Sequence, residues 1–134
     1  VVSDIGSRLP IYCTSQGKVF LAHMSRTSAE ALLRAQHMTQ FTPHTITDLT
    51  ALMQEIDLCR TDGYAIENGE YKIGLRSISA PVYTVEGKAR YTVGVIGMFR
   101  STRSDEFLAA VEQVCATASM ISTALGYRKT EELL

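Results

Sequence analysis

The chain lacks the features that assign a chemistry at sight. Its three cysteines, Cys13, Cys59 and Cys115, lie far apart. An odd, widely spaced set argues against a disulfide framework and is compatible with a reducing cytoplasm. Spacings of the C-x2-C or H-x3-H kind, which put two ligands on one metal, do not occur. His23, His37 and His44 would have to meet Glu67 or Glu70 in space to build such a site. Glycine patterns of the Walker or dinucleotide type are missing. A cysteine or histidine nucleophile needs a base within hydrogen-bond reach, and none is evident. The expectation is therefore a protein that is not an enzyme, with no catalytic residue, metal or cofactor.

An excess of charge is missing too. The 13 Lys and Arg residues nearly balance 14 Asp and Glu, for a net charge of −1. A free-standing nucleic-acid binder carries a basic patch. Here the clearest cluster is Arg100 with Arg103, which is too small, so these residues are not expected to touch DNA directly. No apolar run approaches the roughly 20 residues that span a bilayer, and no signal peptide is visible. What is present is ordinary globular composition: 46% hydrophobic and 20% charged residues over 134 positions are enough for one core and argue against disorder. The chain opens on Val1-Val2-Ser3-Asp4 with no Met, which reads as an excised fragment.

Periodicity predicts helices first and a sheet after them. Residues 1–9 read as the end of a strand and a loop around Gly6, followed by a short extended piece at Ile11-Tyr12-Cys13. Thr14 or Ser15 can cap a helix carrying Val19, Phe20, Leu21, Ala22 and Met24. Gly17 in its first turn lowers helix propensity and points to close backbone approach. Ser28 is read as the cap of a second helix with Leu32 and Leu33 inward, and 41–46 as a loop. Thr47 is read as the cap of a third helix. Leu49, Leu52, Met53, Ile56 and Cys59 share one of its faces, and Gly63 stops it. Residues 64–66 predict a strand, 67–74 a polar loop, and 75–84 a strand with Leu75, Ser77, Ser79 and Pro81 on one face. A Gly87 turn and a third strand over 89–99 complete a hairpin. Ser104 caps a closing helix with Asp105 and Glu106 at its positive end. Its expected apolar stripe is Phe107, Leu108, Val111, Val114, Cys115, Ala118, Ile121 and Leu125. Gly126 ends it, ahead of a polar tail that reads as vector-derived or disordered in part. The class is α+β, an antiparallel sheet with helices on its faces and a long C-terminal helix.

Two stretches carry a family resemblance. The run Gly63-Tyr64-Ala65-Ile66-Glu67-Asn68-Gly69-Glu70-Tyr71-Lys72-Ile73-Gly74-Leu75-Arg76-Ser77-Ile78-Ser79-Ala80-Pro81-Val82 resembles the signature of the IclR family's effector-binding domain. Upstream, Leu9-Pro10-Ile11-Tyr12-Cys13-Thr14-Ser15-Gln16-Gly17-Lys18-Val19-Phe20-Leu21-Ala22 is similar to the family's Leu-Pro, Thr-x-x-Gly-Lys, Leu-Ala segment. The two lie in order and at the right distance, and the resemblance extends from Ile5 to Tyr127. It implies a GAF-like sensor domain over 1–134, N-terminally truncated and lacking its first strands. It also implies a winged helix-turn-helix domain upstream, absent here, through which alone DNA is bound. A cytoplasmic bacterial regulator, a homodimer or homotetramer, and control by a small carboxylic, sugar or aromatic acid complete what it implies. A GAF-like sensor or binding module of another signalling protein is the alternative, and a small enzyme using Glu67 or Glu70 the third reading.

The residues that line up with the family's ligand contacts are Ser15, Gln16, Gly17, Glu67, Leu75, Ser77, Gly94 and Ile96. Physical chemistry supports the set. Residues 15–17 sit where a helix begins, and free N–H groups there favour a carboxylate. Glu67 can accept from a ligand hydroxyl, Ser77 can donate and accept, and Leu75 and Ile96 supply apolar walls. Each has a plainer reading beside it. Ser15 can be only a cap, Glu67 a solvated loop charge, Ser77 a small core residue, and Leu75 and Ile96 pure core. Tyr64, Tyr71 and Tyr83 read as packing. The chain departs from the family pattern at Glu67-Asn68-Gly69-Glu70, Ser77, Gly94 and Ile96. A strand with less polarity and more room at Gly94 points to an effector larger than a two- or three-carbon acid.

Overall fold

Polar caps set where each helix begins in the computed structural model, which describes residues 4–129. Thr14 Oγ1 accepts from the Gly17 N–H and opens α1 (Ser15–Ala22). Ser25 opens α2 (Arg26–Ala35), with its Oγ accepting from Ser28 N. The expected cap Ser28 is thus the residue being capped, because Ser25 already holds the extended backbone a cap needs. Asp48 rather than Thr47 opens α3 (Leu49–Asp62), its carboxylate accepting from Ala51 N at 2.9 Å. Gly63 ends α3 at φ +82°, a left-handed conformation a Cβ would disfavour.

The strands β1 (Ala65–Asn68), β2 (Arg76–Tyr83) and β3 (Ala89–Gly97) form an antiparallel sheet in that order. β1 runs further than expected. Glu67 and Asn68, read as loop, pair with Ser77 and Arg76. Ser104 then caps α4 (Asp105–Ala124). Of the strand end and loop read over residues 1–9, residues 4–9 contain no strand and residues 1–3 lie outside the described residues, as do the last five residues of the tail.

The sheet separates two cores. On one face Val19 and Leu21 of α1, Leu33 of α2, and Leu52, Met53 and Ile56 of α3 pack with Ala65. On the other, Ile78, Ala80 and Val82 of β2 meet Phe107, Val114 and Ala118 of α4. β2 is therefore covered on both sides, which is why its interior positions are all buried.

The α4 stripe is narrower than expected. Leu108, Ile121 and Leu125 are exposed, while Ser122 is buried and its Oγ donates to Ala118 O and accepts from Tyr83 N. One helix face can touch the sheet, and 107, 114, 118 and 122 occupy it. By length and composition α4 is also apolar enough to cross a membrane, although no continuous run signalled it. Packing on β2 accounts for the buried strip alone, since 22% of that stretch is buried within the domain.

Gly17 is held by contact. A Cβ there would overlap the backbone carbonyl of Ile11. Glycine inside a helix costs about 0.5–1 kcal/mol relative to alanine, so alanine would be preferred if the space existed. Gly17→Ala is expected to lower stability by about 1–3 kcal/mol through overpacking. Urea unfolding checks this, and a stability gain would show that α1 is free to move away from Ile11.

Candidate ligand-binding site

The start of α1 points at the sheet. Ser15 is fully buried, and its hydroxyl lies 2.7 Å from Ser79 Oγ and 2.8 Å from Ser77 Oγ, both on β2. Ser77 Oγ is also 3.1 Å from Glu67 Oε1 on β1. The side chains thus form one chain in space, Glu67, Ser77, Ser15, Ser79. The cap satisfies the Gly17 N–H, and Lys18 N donates to Thr14 O. The Ser15 and Gln16 N–H groups stand ahead of the first intrahelical bond, so they remain free for an anion at the positive end of α1.

These groups border a cavity of about 480 Å³. Ser15, Gln16, Glu67, Leu75, Ser77, Gly94 and Ile96 all line it. Gly17 does not, since its backbone is spent against Ile11. Ser79, Thr92 and Val95 line it too, as do Arg8, Tyr71 and Lys72. The extra room expected at Gly94 is already used: a Cβ there would lie too close to the Ile78 carbonyl and about 2.5 Å from Ser79 Oγ. Ser79 was legible as a neighbour of Ser77 two positions along the same face. Tyr71 was assigned to packing, and it does stack on Phe41, with ring centroids 5.0 Å apart, while also lining the cavity.

Glu67 is placed by the turn that follows it. Its Oε2 accepts from Glu70 N at 2.9 Å. Glu70 Oε2 in turn accepts from Asn68 N at 3.0 Å and from Lys18 Nζ at 2.9 Å. Lys18 is 1% exposed and also donates to Ile66 O at 3.1 Å. Thr42 and Thr45 close the turn from outside, donating to Gly69 O and Glu70 O. Burial pushes the Glu67 carboxyl above its usual value, against the lowering effect of hydrogen bonds from Glu70 N–H and the Ser77 hydroxyl. Cys13, beside the same acids, is pushed up to about 12, chiefly by desolvation, and stays a neutral thiol.

A second cavity of about 340 Å³ lies between β2 and the end of α4, lined by Ala80, Pro81, Tyr83, Ser119, Ser122 and Tyr127 among others. It borders the carbonyl end of a helix, where the dipole disfavours an anion. Among the described residues no group of three or more His, Cys, Asp or Glu side chains converges as a metal would need.

The α+β fold, an antiparallel sheet with helices on both faces, is shared with solved structures of bacterial transcriptional regulators. Residues 1–123 match the family model described as Bacterial transcriptional regulator IclR C-terminal, and the chain belongs to the IclR family. It is 30% identical over 126 residues to the HTH-type transcriptional repressor AllR of Escherichia coli K12, covering 94% of this chain and 46% of that protein. The chain thus spans about half the length of the curated relatives it matches. Among solved structures, the C-terminal domain of E. coli KdgR superposes with a TM-score of 0.83 at 31% identity, over 92% of this chain and 75% of that one. The Agobacterium tumefaciens repressor BlcR gives 0.82 at 31% identity, over 95% and 51%. These relatives are regulators of transcription, not enzymes.

Removing one partner of the buried Lys18–Glu70 pair strands the other. Lys18→Met is expected to cost about 3–5 kcal/mol, read by chemical unfolding; a loss under about 1 kcal/mol would contradict a buried charged pair. A second expectation concerns pH. Because the folded protein holds the Glu67 proton more tightly than the unfolded chain, this group's contribution falls as pH rises from the unfolded value through the raised folded one. Glu67→Gln lacks that loss. Its melting temperature relative to the parent should therefore climb between pH 4 and pH 8, and a flat difference would contradict the shift.

Proposed function

We propose that this cavity is the effector site of an IclR-type regulator, taking a small carboxylic acid of sugar or aromatic type. The observation that carries the reading is the free N–H pair of Ser15 and Gln16 facing three hydroxyls and a buried carboxylate across one cavity. The carboxylate of the effector docks on the helix start. Glu67 accepts a hydrogen bond from a hydroxyl further along the ligand, and Leu75 and Ile96 cover its apolar part. Size favours more than three carbons, because a cavity of about 480 Å³ falls within the range of sites for larger ligands.

In the whole protein, DNA is bound by an N-terminal winged helix-turn-helix domain, and the effector acts by linkage. A ligand that prefers one arrangement of the sensor shifts the population and so the DNA affinity. The domain pairs as a homodimer or homotetramer. Exposed Tyr91 and Val95 on β3 and Met98 just after it, with Leu108 and Met120 on α4, supply apolar surface for it. Light scattering at high protein concentration should give a mass above that of one chain, and a monomer would remove the assembly from the account.

A thermal-shift series tests the ligand class. Gluconate and 3-hydroxybenzoate at millimolar concentration should raise the melting temperature more than glyoxylate or pyruvate. A response to the two small acids alone would contradict the size argument.

A further inference from the structure

Counting protons along the cavity wall gives a property that no single residue has. Glu67, Ser77, Ser15 and Ser79 make three successive contacts of 3.1, 2.8 and 2.7 Å. Each serine hydroxyl carries one proton and can donate once. In the structure Ser77 stands as donor to both Ser15 and Glu67, and its one proton can serve only one of them. With Glu67 ionised it goes to Glu67, and Ser15 must then turn to donate to Ser77 and Ser79 to Ser15. Every proton is then used within the chain, the Gln16 Oε1 at 3.4 Å being a more distant acceptor for Ser15 than Ser77 at 2.8 Å, and Ser79 turns only lone pairs toward the cavity. With Glu67 protonated, the order reverses. Glu67 donates to Ser77, Ser77 to Ser15 and Ser15 to Ser79, which leaves the Ser79 proton free to point at a ligand. One proton gained at Glu67 therefore becomes one donor offered at Ser79, with no proton lost or created.

We propose that these four side chains form a reversible hydrogen-bond relay that makes Ser79 a specificity-determining contact. Ser79 donates to an anionic head group when Glu67 is protonated and accepts from a hydroxyl or amide when Glu67 is charged. A carboxylate bound beside the Ser15 and Gln16 N–H groups thus brings a proton in with it. The inference rests on reading the cavity as the effector site, but the relay itself can be tested without ligand.

The surroundings allow the switch. Glu70 is the nearest acid, and its charge is matched by Lys18 from α1. Cys13, from the segment before α1, stays neutral. β3 faces the relay with Thr92, Gly94 and Ile96, none of which titrates. Tyr71 and Lys72 of the β1–β2 turn, with Asp4 and Arg8 of the N-terminal segment, stand around the same cavity. Burial favours the protonated form of Glu67. Gly94 keeps the Ser79 hydroxyl beside Ser15, since any side chain there would displace it.

The test follows the Glu67 carboxyl carbon and the Ser79 Cβ by carbon-13 NMR across pH 4 to 8 in the full chain. The Ser79 signal should move with the Glu67 midpoint, and Ser15→Ala and Ser77→Ala should each abolish the Ser79 response while Glu67 still titrates. A flat Ser79 signal in the parent protein overturns the relay. Calorimetry with benzoate, an anion without a hydroxyl, reads the consequence. Binding should take up about one proton and weaken about tenfold per pH unit above the Glu67 midpoint. Glu67→Gln, whose amide holds the donor direction, should bind with no proton uptake, and Ser79→Ala should lose affinity severalfold. Proton uptake persisting in Glu67→Gln overturns the proposal. If Ser79 follows Glu67 but benzoate binds at no pH, the role of the relay in recognition falls, and it is the effector reading that has failed.

Discussion

Lys18 carries its ammonium group into the interior, where among the described residues Glu70 and the Ile66 carbonyl answer it at hydrogen-bond distance and Glu55 stands 3.8 Å away. Two charges out of water are expensive, and this pair joins two elements of the fold. Lys18 belongs to α1, and Glu70 closes the turn after β1. Glu70 also receives Asn68 N and donates its own N–H to Glu67. The ion pair therefore sets the distance between the helix start and the carboxylate across the cavity. Gly17 fixes the same helix from behind, since its bare backbone lets α1 press on Ile11. Everything attributed to the cavity depends on this clamp.

The fold was readable where one signal had one carrier. Leu52, Met53, Ile56 and Cys59 could share a face only on a helix, and Gly63 could end it. Ser104, followed by Asp105 and Glu106 in the first turn, was read as the cap and is the cap. Where two neighbours offered the same chemistry, the choice went astray: Ser25 and Ser28 both accept hydrogen bonds, as do Thr47 and Asp48, and only backbone conformation separates them. The α4 stripe misled for another reason. Apolar residues surround most of that helix, so periodicity marks a broad face, while the sheet covers only the strip through Phe107, Val114 and Ala118.

The site was legible through the family motifs and through the physics of a helix start. Ser15 and Ser77, taken singly, could have been a cap and a small core residue, and nothing in the sequence set them 2.8 Å apart. Ser79 was overlooked although strand alternation put it on the same face. Its role comes from β2 lying against α1, a contact between residues 64 positions apart. Gly94 looked like free volume and is a close approach. Arg8, Tyr71 and Lys72 come from irregular segments that carry no period to read.

The central claim is that a small acid docks at the start of α1. The most direct measurement is the change in backbone amide shifts of the nitrogen-15-labelled chain on adding 3-hydroxybenzoate. The account predicts that the Ser15 and Gln16 amides move most, followed by residues of β2 near Ser77. Largest changes at Ser119, Ser122 and Tyr127, around the cavity between β2 and α4, would contradict it.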